Sequence, residues 1–230
     1  MPGRTVPLVT NQIYHILNRG NAAQPIFLGK KDYERILDTL SYYQNIHNPV
    51  RFSFFLRLPS DKKEKILKDL RSKREFSVDI ISFCLMTNHF HLLLKQVHDN
   101  GISSFMSNVS NSYTRYFNTK NKRFGHLFQG KFKAVRIETN EQLLHVSRYI
   151  HLNPYASYVL KSINDLEKYS YSSLPEYLNL AQNELCNKEL IISQFKNTND
   201  YKKFIINQAD SQRELNKIKH LTLESGSSHL

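Results

Sequence analysis

The sequence predicts an α+β protein, in which β-strands and amphipathic helices are mixed along the chain. Residues 12–17 and 78–86 form apolar and aromatic runs that are typical of strands, and residues 89–94 continue the second run after a Thr-Asn break. Residues 32–43 and 102–117 space their apolar side chains three and four apart, as amphipathic helices do. With 230 residues, of which 40% are hydrophobic, the chain is long enough to bury a core.

Local signals also predict the remaining elements of this first part of the chain. The first strand should end at residues 18–21, where Asn-Arg-Gly-Asn favours a turn. Residues 51–56 have a strand-like pattern, whereas residues 60–74 form a lysine-rich helical stretch. We interpret the region from about 60 to 75 as a solvated basic insertion.

A capping box predicts the start of a further helix, since Thr139 is followed three residues later by Gln142. Pro154 is expected to end this helix. Between residues 117 and 139 the sequence predicts a basic loop that contains Gly125 and Gly130. Because the chain becomes polar and helical from about residue 176 onward, the sequence predicts a first domain over residues 1–175, followed by a helical extension over residues 176–230.

The charge of the chain predicts an anionic polymer as partner. Basic residues exceed acidic ones by 12, and the predicted pI is near 9.6. The extension over residues 176–230 has seven basic and seven acidic residues, so the whole excess belongs to the first 175 residues. Only Cys84 and Cys186 occur, which indicates neither a disulfide framework nor a zinc-thiolate site. With no signal-peptide pattern and no long apolar run, we expect a cytoplasmic chain without a membrane partner.

His89 and His91 form the first candidate site. In a strand, residues two apart lie on the same face, so both imidazoles should point to a common centre that could hold a metal ion. The alternative is a pair of half-buried histidines that hydrogen-bond to backbone or water. Apolar neighbours such as Phe90 favour a buried strand, where two polar rings need a partner.

Tyr149 is the second candidate, on the helix that follows Thr139. The i, i+4 spacing places His145, Tyr149 and Asn153 in one stripe along this helix. A tyrosine hydroxyl has a pKa of about 10, so a nucleophilic role near pH 7 requires a neighbouring cation, base or metal. The alternative is an ordinary core or surface ring without a chemical role.

A basic strip forms the third candidate, because residues 100–137 contain no carboxylate. Aromatic residues are interleaved with its cations, as in grooves that follow phosphates and stack unpaired bases. Single-stranded nucleic acid suits this mixture best; the alternative is a solvated basic face whose aromatic rings lie in the core. The candidate nucleic-acid contacts are Arg115, Lys120, Lys122, Arg123, His126, Lys131, Lys133, Arg136 and, on the later helix, Arg148.

Several segments together resemble the REP-associated tyrosine transposases, a branch of the insertion-sequence transposases of the HUH superfamily. The resemblance covers about residues 10–175. It depends on MTNHFHLLL from Met86, GHLFQGKFKAV from Gly125 and RYIHLNPYAS from Arg148, with smaller similarities at YHILNRGN from Tyr14, QPIF from Gln24 and YSYSS from Tyr169. The insertion at 60–75 and the extension after 176 have no counterpart in this pattern.

The resemblance implies a ferredoxin-like antiparallel sheet with helices on one face, in an enzyme that nicks single-stranded DNA near a hairpin. His89 and His91 match the metal-binding pair of that family, and Tyr149 matches its nucleophile, which becomes linked to a DNA 5′ phosphate. Asn153 takes the position of a further metal ligand, for which His145 and His151 compete. The implied cofactor is Mg²⁺ or Mn²⁺: two imidazoles favour Mn²⁺, and cellular abundance favours Mg²⁺.

The leading hypothesis from the sequence is therefore a metal-dependent DNA strand transferase, or transposase, that acts as a monomer rather than a dimer on single-stranded or hairpin DNA. Two alternatives remain open at this stage. The chain could be a non-catalytic module that binds single-stranded nucleic acid, or a metal-dependent phosphodiesterase in which water attacks and Tyr149 has no role.

Overall fold

The computed structural model describes residues 7–73, 75–181 and 185–214. Four strands form one antiparallel sheet in the order β2-β3-β1-β4: β1 Ile13–Arg19, β2 Val78–Met86, β3 His89–Gln96 and β4 Lys133–Ile137. The α-helices are α1 Lys30–Tyr43, α2 Phe52–Phe55, α3 Ser60–Lys73, α4 Gly101–Lys120, α5 Asn140–Ala156, α6 Leu174–Tyr177, α7 Glu189–Ile192 and α8 Thr198–Ile206. The predicted α+β class is confirmed.

The described chain divides into two compact units. The first comprises residues up to 80 together with 87–137, and the second comprises 81–86 together with the chain from 138 onward. The predicted domain boundary at residue 175 stays a prediction. Residues 182–184 and 215–230 of the predicted extension lie outside the described residues.

The register of β1 organises the first unit. On one side Leu17 pairs with His91 of β3, and on the other side it pairs with Lys133 of β4. Because side chains alternate across a strand, odd-numbered residues of these strands share one face of the sheet and even-numbered residues share the other. The burial pattern of β1 follows this alternation, since Tyr14, Ile16 and Asn18 are buried.

Helices α1 and α4 cover the even face of the sheet. Phe90 of β3 packs edge-on against Phe128, which in turn contacts Tyr113 of α4. The Tyr113 hydroxyl donates a hydrogen bond to the Ile26 carbonyl at 2.5 Å, which satisfies this fully buried polar group. The core of the first unit therefore lies between this face and the two helices, as predicted from their apolar stripes.

The second unit has its own aromatic core around α5. Tyr177 of α6 donates a hydrogen bond to the Ile81 carbonyl at 2.7 Å, and Tyr169 donates one to the Leu85 carbonyl at 2.8 Å. Tyr201 of α8 is fully buried and lies against the Tyr177 ring, with 5.2 Å between ring centroids. The helical character predicted after residue 176 is thus confirmed for α7 and α8.

Three local expectations are wrong. Residues 52–55 form a short helix instead of a strand, because Phe52 and Phe55, three residues apart, both turn into the core. Residues 133–137 form a strand instead of part of a loop, because their backbone pairs with β1. The helix with Pro154 continues to Ala156, since a proline in the last turn removes only one backbone donor.

The predicted lysine-rich helix is present as α3, and Thr139 caps α5 as expected. The Thr139 hydroxyl oxygen accepts a hydrogen bond from the Gln142 amide, while the Gln142 side chain accepts one from the Glu138 amide. Among the helices of the described ranges, none is long and apolar enough to span a membrane.

Gly101 allows α4 to begin directly against the chain that precedes β2. A Cβ atom at this position would lie 2.2 Å from the Ser77 carbonyl oxygen. A Cβ atom at Gly29, which precedes α1, would have no heavy atom within 4 Å, and the backbone of Gly29 is extended. Gly29 therefore serves as the control position for a substitution at Gly101.

We expect Gly101→Ala to lower the free energy of unfolding by about 1–3 kcal/mol, because the backbone must move to relieve the overlap. Gly29→Ala should change stability by less than about 0.5 kcal/mol. Urea denaturation of the two variants, followed by circular dichroism, measures the difference. Equal stabilities would show that α4 does not depend on this close approach.

Candidate functional site

Three histidines meet on the odd face of the sheet in the first unit. The structure brings the predicted pair together, with the ring centroids of His89 and His91 5.0 Å apart and the ring planes nearly perpendicular. His15 of β1 joins them, because the register pairs it with Leu93, two residues beyond His91. Its centroid lies 5.1 Å from that of His91.

Asn88 fixes the orientation of His89. The Asn88 amide nitrogen donates a hydrogen bond to the Ala23 carbonyl at 3.1 Å, so its carboxamide oxygen must face the histidine. That oxygen lies 2.7 Å from Nδ1 of His89 and can only accept a hydrogen bond. His89 therefore carries its proton on Nδ1, which leaves the lone pair of the neutral ring on Nε2.

His15 contacts Nδ1 of His91, as Asn88 contacts Nδ1 of His89. The His15 Nε2 and His91 Nδ1 atoms are 2.9 Å apart, so one ring donates a hydrogen bond and the other accepts it. When His91 is the donor, its lone pair also lies on Nε2, as in His89. The sequence analysis missed His15, since only the pairing of distant strands brings it to the site. The two-residue spacing of His89 and His91 gives no signal for this residue.

Burial keeps all three imidazoles neutral at pH 7. It lowers the pKa of His15 to about 4 and that of His89 to about 4, with a further contribution from the Arg19 charge at His89. Burial also lowers the pKa of His91 well below its ordinary value, helped by the two neighbouring imidazoles. Neutral imidazole is the form that binds metal ions.

The donor set of this cluster fits a divalent transition-type cation better than a cation that demands oxygen ligands. Imidazole nitrogens suit Mn²⁺ among the two predicted ions. In the part of the chain that the structure describes, no group of three or more His, Cys, Asp or Glu side chains is arranged to hold a metal. A cation at His89 and His91 would therefore complete its coordination with other ligands, such as phosphate oxygens and water.

Tyr149 lies on α5, in the second unit, one helical turn before Asn153. Burial raises the pKa of the Tyr149 hydroxyl, whereas a hydrogen bond from the Asn153 side chain opposes this by favouring the phenolate. Asn153 is itself buried, and its side-chain oxygen accepts a hydrogen bond from Ser157 at 3.3 Å. This contact gives Asn153 a direct influence on the phenol, while its predicted role as a metal ligand stays a prediction.

The two histidines that competed with Asn153 have different surroundings. His151 is fully buried: its Nδ1 lies 2.8 Å from the Tyr201 hydroxyl and its Nε2 lies 2.7 Å from the Ser173 hydroxyl. Burial lowers its pKa to about 3. Since both ring nitrogens have protein partners, His151 is a core residue of the second unit. His145 is exposed and contacts Glu141 and Arg148.

The predicted nucleic-acid contacts occupy several different surfaces. Lys133 is exposed on the odd face, level with His91 across β1, whereas Arg136 belongs to the even set and donates a hydrogen bond to Gln12. Arg123 donates to the Asn118 side chain and the His126 carbonyl, and so holds its own loop. Lys122, His126 and Lys131 are exposed in the same loop; Arg115 and Lys120 lie on α4, and Arg148 lies on α5.

The Arg148 side chain contacts other residues of the second unit. Its guanidinium carbon lies 4.4 Å from the centre of the Phe204 ring of α8, and its Nη2 lies 2.8 Å from Nδ1 of His145. Stacking of this kind retains the charge while limiting the mobility of the side chain. A role in nucleic-acid binding stays a prediction for Arg148 as for the other eight residues.

The aromatic rings of the basic strip divide into core and surface. Tyr113, Phe117 and Phe128 are buried, so the expectation that the interleaved rings stack on bases is wrong for these three. Phe124 is 94% exposed, between Arg123 and Gly125. A phenyl ring with so little contact to its own protein is a ready stacking surface for an unpaired base. The φ angle of +84° at Gly125 forms the turn that presents it.

Comparisons with known proteins agree with the motif-based resemblance. Residues 51–153 match the family described as IS200-like transposase, a range that includes His89, His91, Tyr149 and Asn153. A solved REP-associated tyrosine transposase bound to a REP hairpin has a similar fold, with a TM-score of 0.50, 11% sequence identity, and coverage of 80% of this chain and 90% of that chain. No curated protein gives a significant sequence match.

The family match and the structural match support different conclusions. At 11% identity the solved structure supports the fold, whereas the family match concerns the segment that carries the candidate chemistry. The resemblance to the tyrosine transposases is therefore confirmed: residues 51–153 match the IS200-like transposase family, and the fold of this chain is similar to that of a REP-associated tyrosine transposase.

Proposed function

We propose that this chain cuts and rejoins single-stranded DNA near hairpins, with Tyr149 as nucleophile and a divalent cation held by His89 and His91. The observation that carries the proposal is the neutral imidazole pair, whose second nitrogens have protein partners at 2.7 and 2.9 Å. Both histidines and Tyr149 lie in the segment that matches IS200-like transposases. Asn153 is proposed as a further ligand or as the group that adjusts the Tyr149 phenol.

The proposed reaction exchanges one phosphate ester for another. The Tyr149 oxygen attacks the scissile phosphorus, loses its proton, and forms a phosphotyrosine with the DNA 5′ phosphate. The bond from phosphorus to the 3′ oxygen breaks, and that oxygen takes up a proton to become a hydroxyl. When bound, the cation supplies charge neutralisation on the non-bridging phosphate oxygens. Rejoining is the reverse attack by a 3′ hydroxyl, so no nucleotide cofactor is needed.

The residues around the imidazoles have a defined part in this proposal. Asn88 and His15 would orient the rings of His89 and His91, the two residues that would hold the cation. Asn153 favours the phenolate of Tyr149 by hydrogen bonding, against the burial that raises the phenol pKa. Phe124 and the exposed cations of its loop would hold the single-stranded substrate.

We expect Tyr149→Phe to reduce covalent adduct formation to background, because the variant lacks the attacking oxygen. The assay incubates the full chain and Mn²⁺ with a hairpin-bearing single strand labelled at its 3′ end, the end that stays attached to the protein. A denaturing gel then separates adduct from free DNA. Tyr158→Phe, which removes the hydroxyl of a tyrosine 52% exposed, is the matched control and should keep the adduct.

The same gel, together with fluorescence anisotropy of the labelled hairpin as a measure of binding, distinguishes the alternatives. Cleavage that survives in Tyr149→Phe would indicate attack by water, and thus a phosphodiesterase. Binding of the hairpin by the unsubstituted chain without any cleavage would indicate a non-catalytic binding module.

We expect Asn88→Ala and His15→Ala each to weaken Mn²⁺ binding by about 10–100-fold, because each removes the partner that orients a ligating ring. Electron paramagnetic resonance of free Mn²⁺ during titration of the DNA-bound chain measures the affinity. In the metal-free chain, the ¹⁵N shifts of the imidazoles should show His89 losing its single tautomer in Asn88→Ala. His47→Ala, at an exposed histidine outside the candidate site and the basic strip, is the control. Unchanged affinity in both variants would contradict the orienting role.

We expect Phe124→Ala to weaken binding of a single-stranded oligonucleotide by about 1–3 kcal/mol, the range for loss of one stacked base. Fluorescence anisotropy at constant salt measures the affinity, and Phe124→Tyr should restore it. The control is Leu28→Ala, at another exposed apolar position, which is 58% exposed. Equal affinities for Phe124→Ala and the control would exclude a stacking role.

A further inference from the structure

A groove on the helical side of the first unit has the chemistry of a phosphate-binding surface. It lies between α1, α2 and α4 and has a volume of about 570 Å³. Four of its twelve lining side chains are cationic, and no carboxylate occurs among them. Most of the other lining groups carry hydroxyls or amides, which with Arg and Lys are the usual donors to phosphate oxygens in protein–DNA complexes.

Helix α4 supplies one wall through a continuous polar stripe. Asn108, Asn111, Arg115 and Thr119 are exposed at spacings of three and four, so they follow one line along the helix. The apolar stripe of α4 faces the sheet core, on the opposite side of the helix. This regular row of polar side chains therefore lies outside the core of the first unit.

The opposite wall adds Arg51, the residue that precedes α2, and Arg35 of α1. Arg35 is held in place, with its guanidinium carbon 4.5 Å from the Phe52 ring centre and 5.2 Å from that of Tyr116. Its Nε is buried without a hydrogen-bond partner among the described residues. Buried donors without a partner are uncommon in native proteins, and an acceptor supplied from outside the protein is one explanation for them.

The cations of the groove are only partly neutralised by the protein itself. Lys120 forms an ion pair with the buried Asp32 at 2.5 Å, and Asp38 interacts with Arg35. Arg51 and Arg115 are exposed, and within the described ranges neither has a carboxylate within ion-pair distance. The net positive charge of the groove is therefore centred on these two guanidinium groups.

The groove and the imidazoles lie on different sides of the sheet in the first unit. His15, His89 and His91 belong to the odd face, while α4 packs against the even face through Phe128 and Phe90. A nucleic acid that reached both places would therefore contact the groove and the histidines with different segments.

We propose that this groove binds the phosphodiester backbone of the bound DNA at a second position, away from the strand that is cut. The inference depends on the proposed function, because it takes DNA as the ligand. Arg51 and Arg115 make the phosphate contacts, while Asn108 and Asn111 donate hydrogen bonds to the same backbone. None of these contacts selects a base sequence, so the groove supplies affinity and orientation.

The salt dependence of hairpin binding tests this inference. Each phosphate contact adds about 0.9 to the slope of log affinity against log salt concentration for duplex DNA. The double variant Arg51→Ala/Arg115→Ala should therefore reduce the magnitude of this negative slope by about 1.8 and weaken binding at low salt. The double variant Lys62→Ala/Lys65→Ala, which removes the same charge from the exposed face of α3, is the control and should change the slope by less than about 0.5.

The outcomes separate the two proposals. If the unsubstituted chain binds the hairpin and forms the Tyr149 adduct, but both double variants lower the slope equally, the groove inference fails alone. If the unsubstituted chain does not bind DNA, the proposed function and the groove inference fail together. The double variant Arg51→Lys/Arg115→Lys keeps both charges and should restore most of the slope. It therefore distinguishes the loss of phosphate contacts from misfolding of the alanine variant.

Discussion

The antiparallel register between β1 and β3 is the constraint on which the candidate site depends. Pairing Leu17 with His91 places His15, His89 and His91 on one face and sends Tyr14, Ile16 and Phe90 into the core. A slip of one residue would exchange these two sets, because side chains alternate with a period of two. The apolar core of the even face therefore determines that the imidazoles gather on the other face.

Partly buried imidazoles are costly unless their ring nitrogens have partners, and this cost explains the polar contacts around them. Asn88, which donates to the Ala23 carbonyl, offers its oxygen to Nδ1 of His89. His15 gives His91 a partner of the same kind. In the second unit His151 uses both ring nitrogens for the hydroxyls of Tyr201 and Ser173.

The excess of positive charge is distributed over more than one surface of the first unit. Lys133 accompanies the histidines on the odd face, whereas Arg115 faces the groove beside α4. Lys120 and Arg123 are engaged with Asp32 and with the loop that follows α4. A net charge of +12 predicts an anionic partner, but the charge alone does not identify which cations are available to it.

Local patterns in the sequence determined the elements and residues that depend on short-range periodicity. The spacing of His89 and His91 fixed their common face, and the i, i+4 spacing of Tyr149 and Asn153 fixed their contact on α5. The strand predicted over residues 51–56 was wrong, because burial of Phe52 and Phe55 overrides local β-propensity.

Only the tertiary structure decided which distant groups meet. His15 and His91 are 76 residues apart, and Asn88 and Ala23 are 65 apart, so strand pairing and loop packing created these contacts. The same holds for aromatic residues, since neighbours in sequence such as Phe124 and Phe128 differ completely in exposure. Sequence periodicity specifies the direction of a side chain within its own element, whereas its partners depend on how the elements pack.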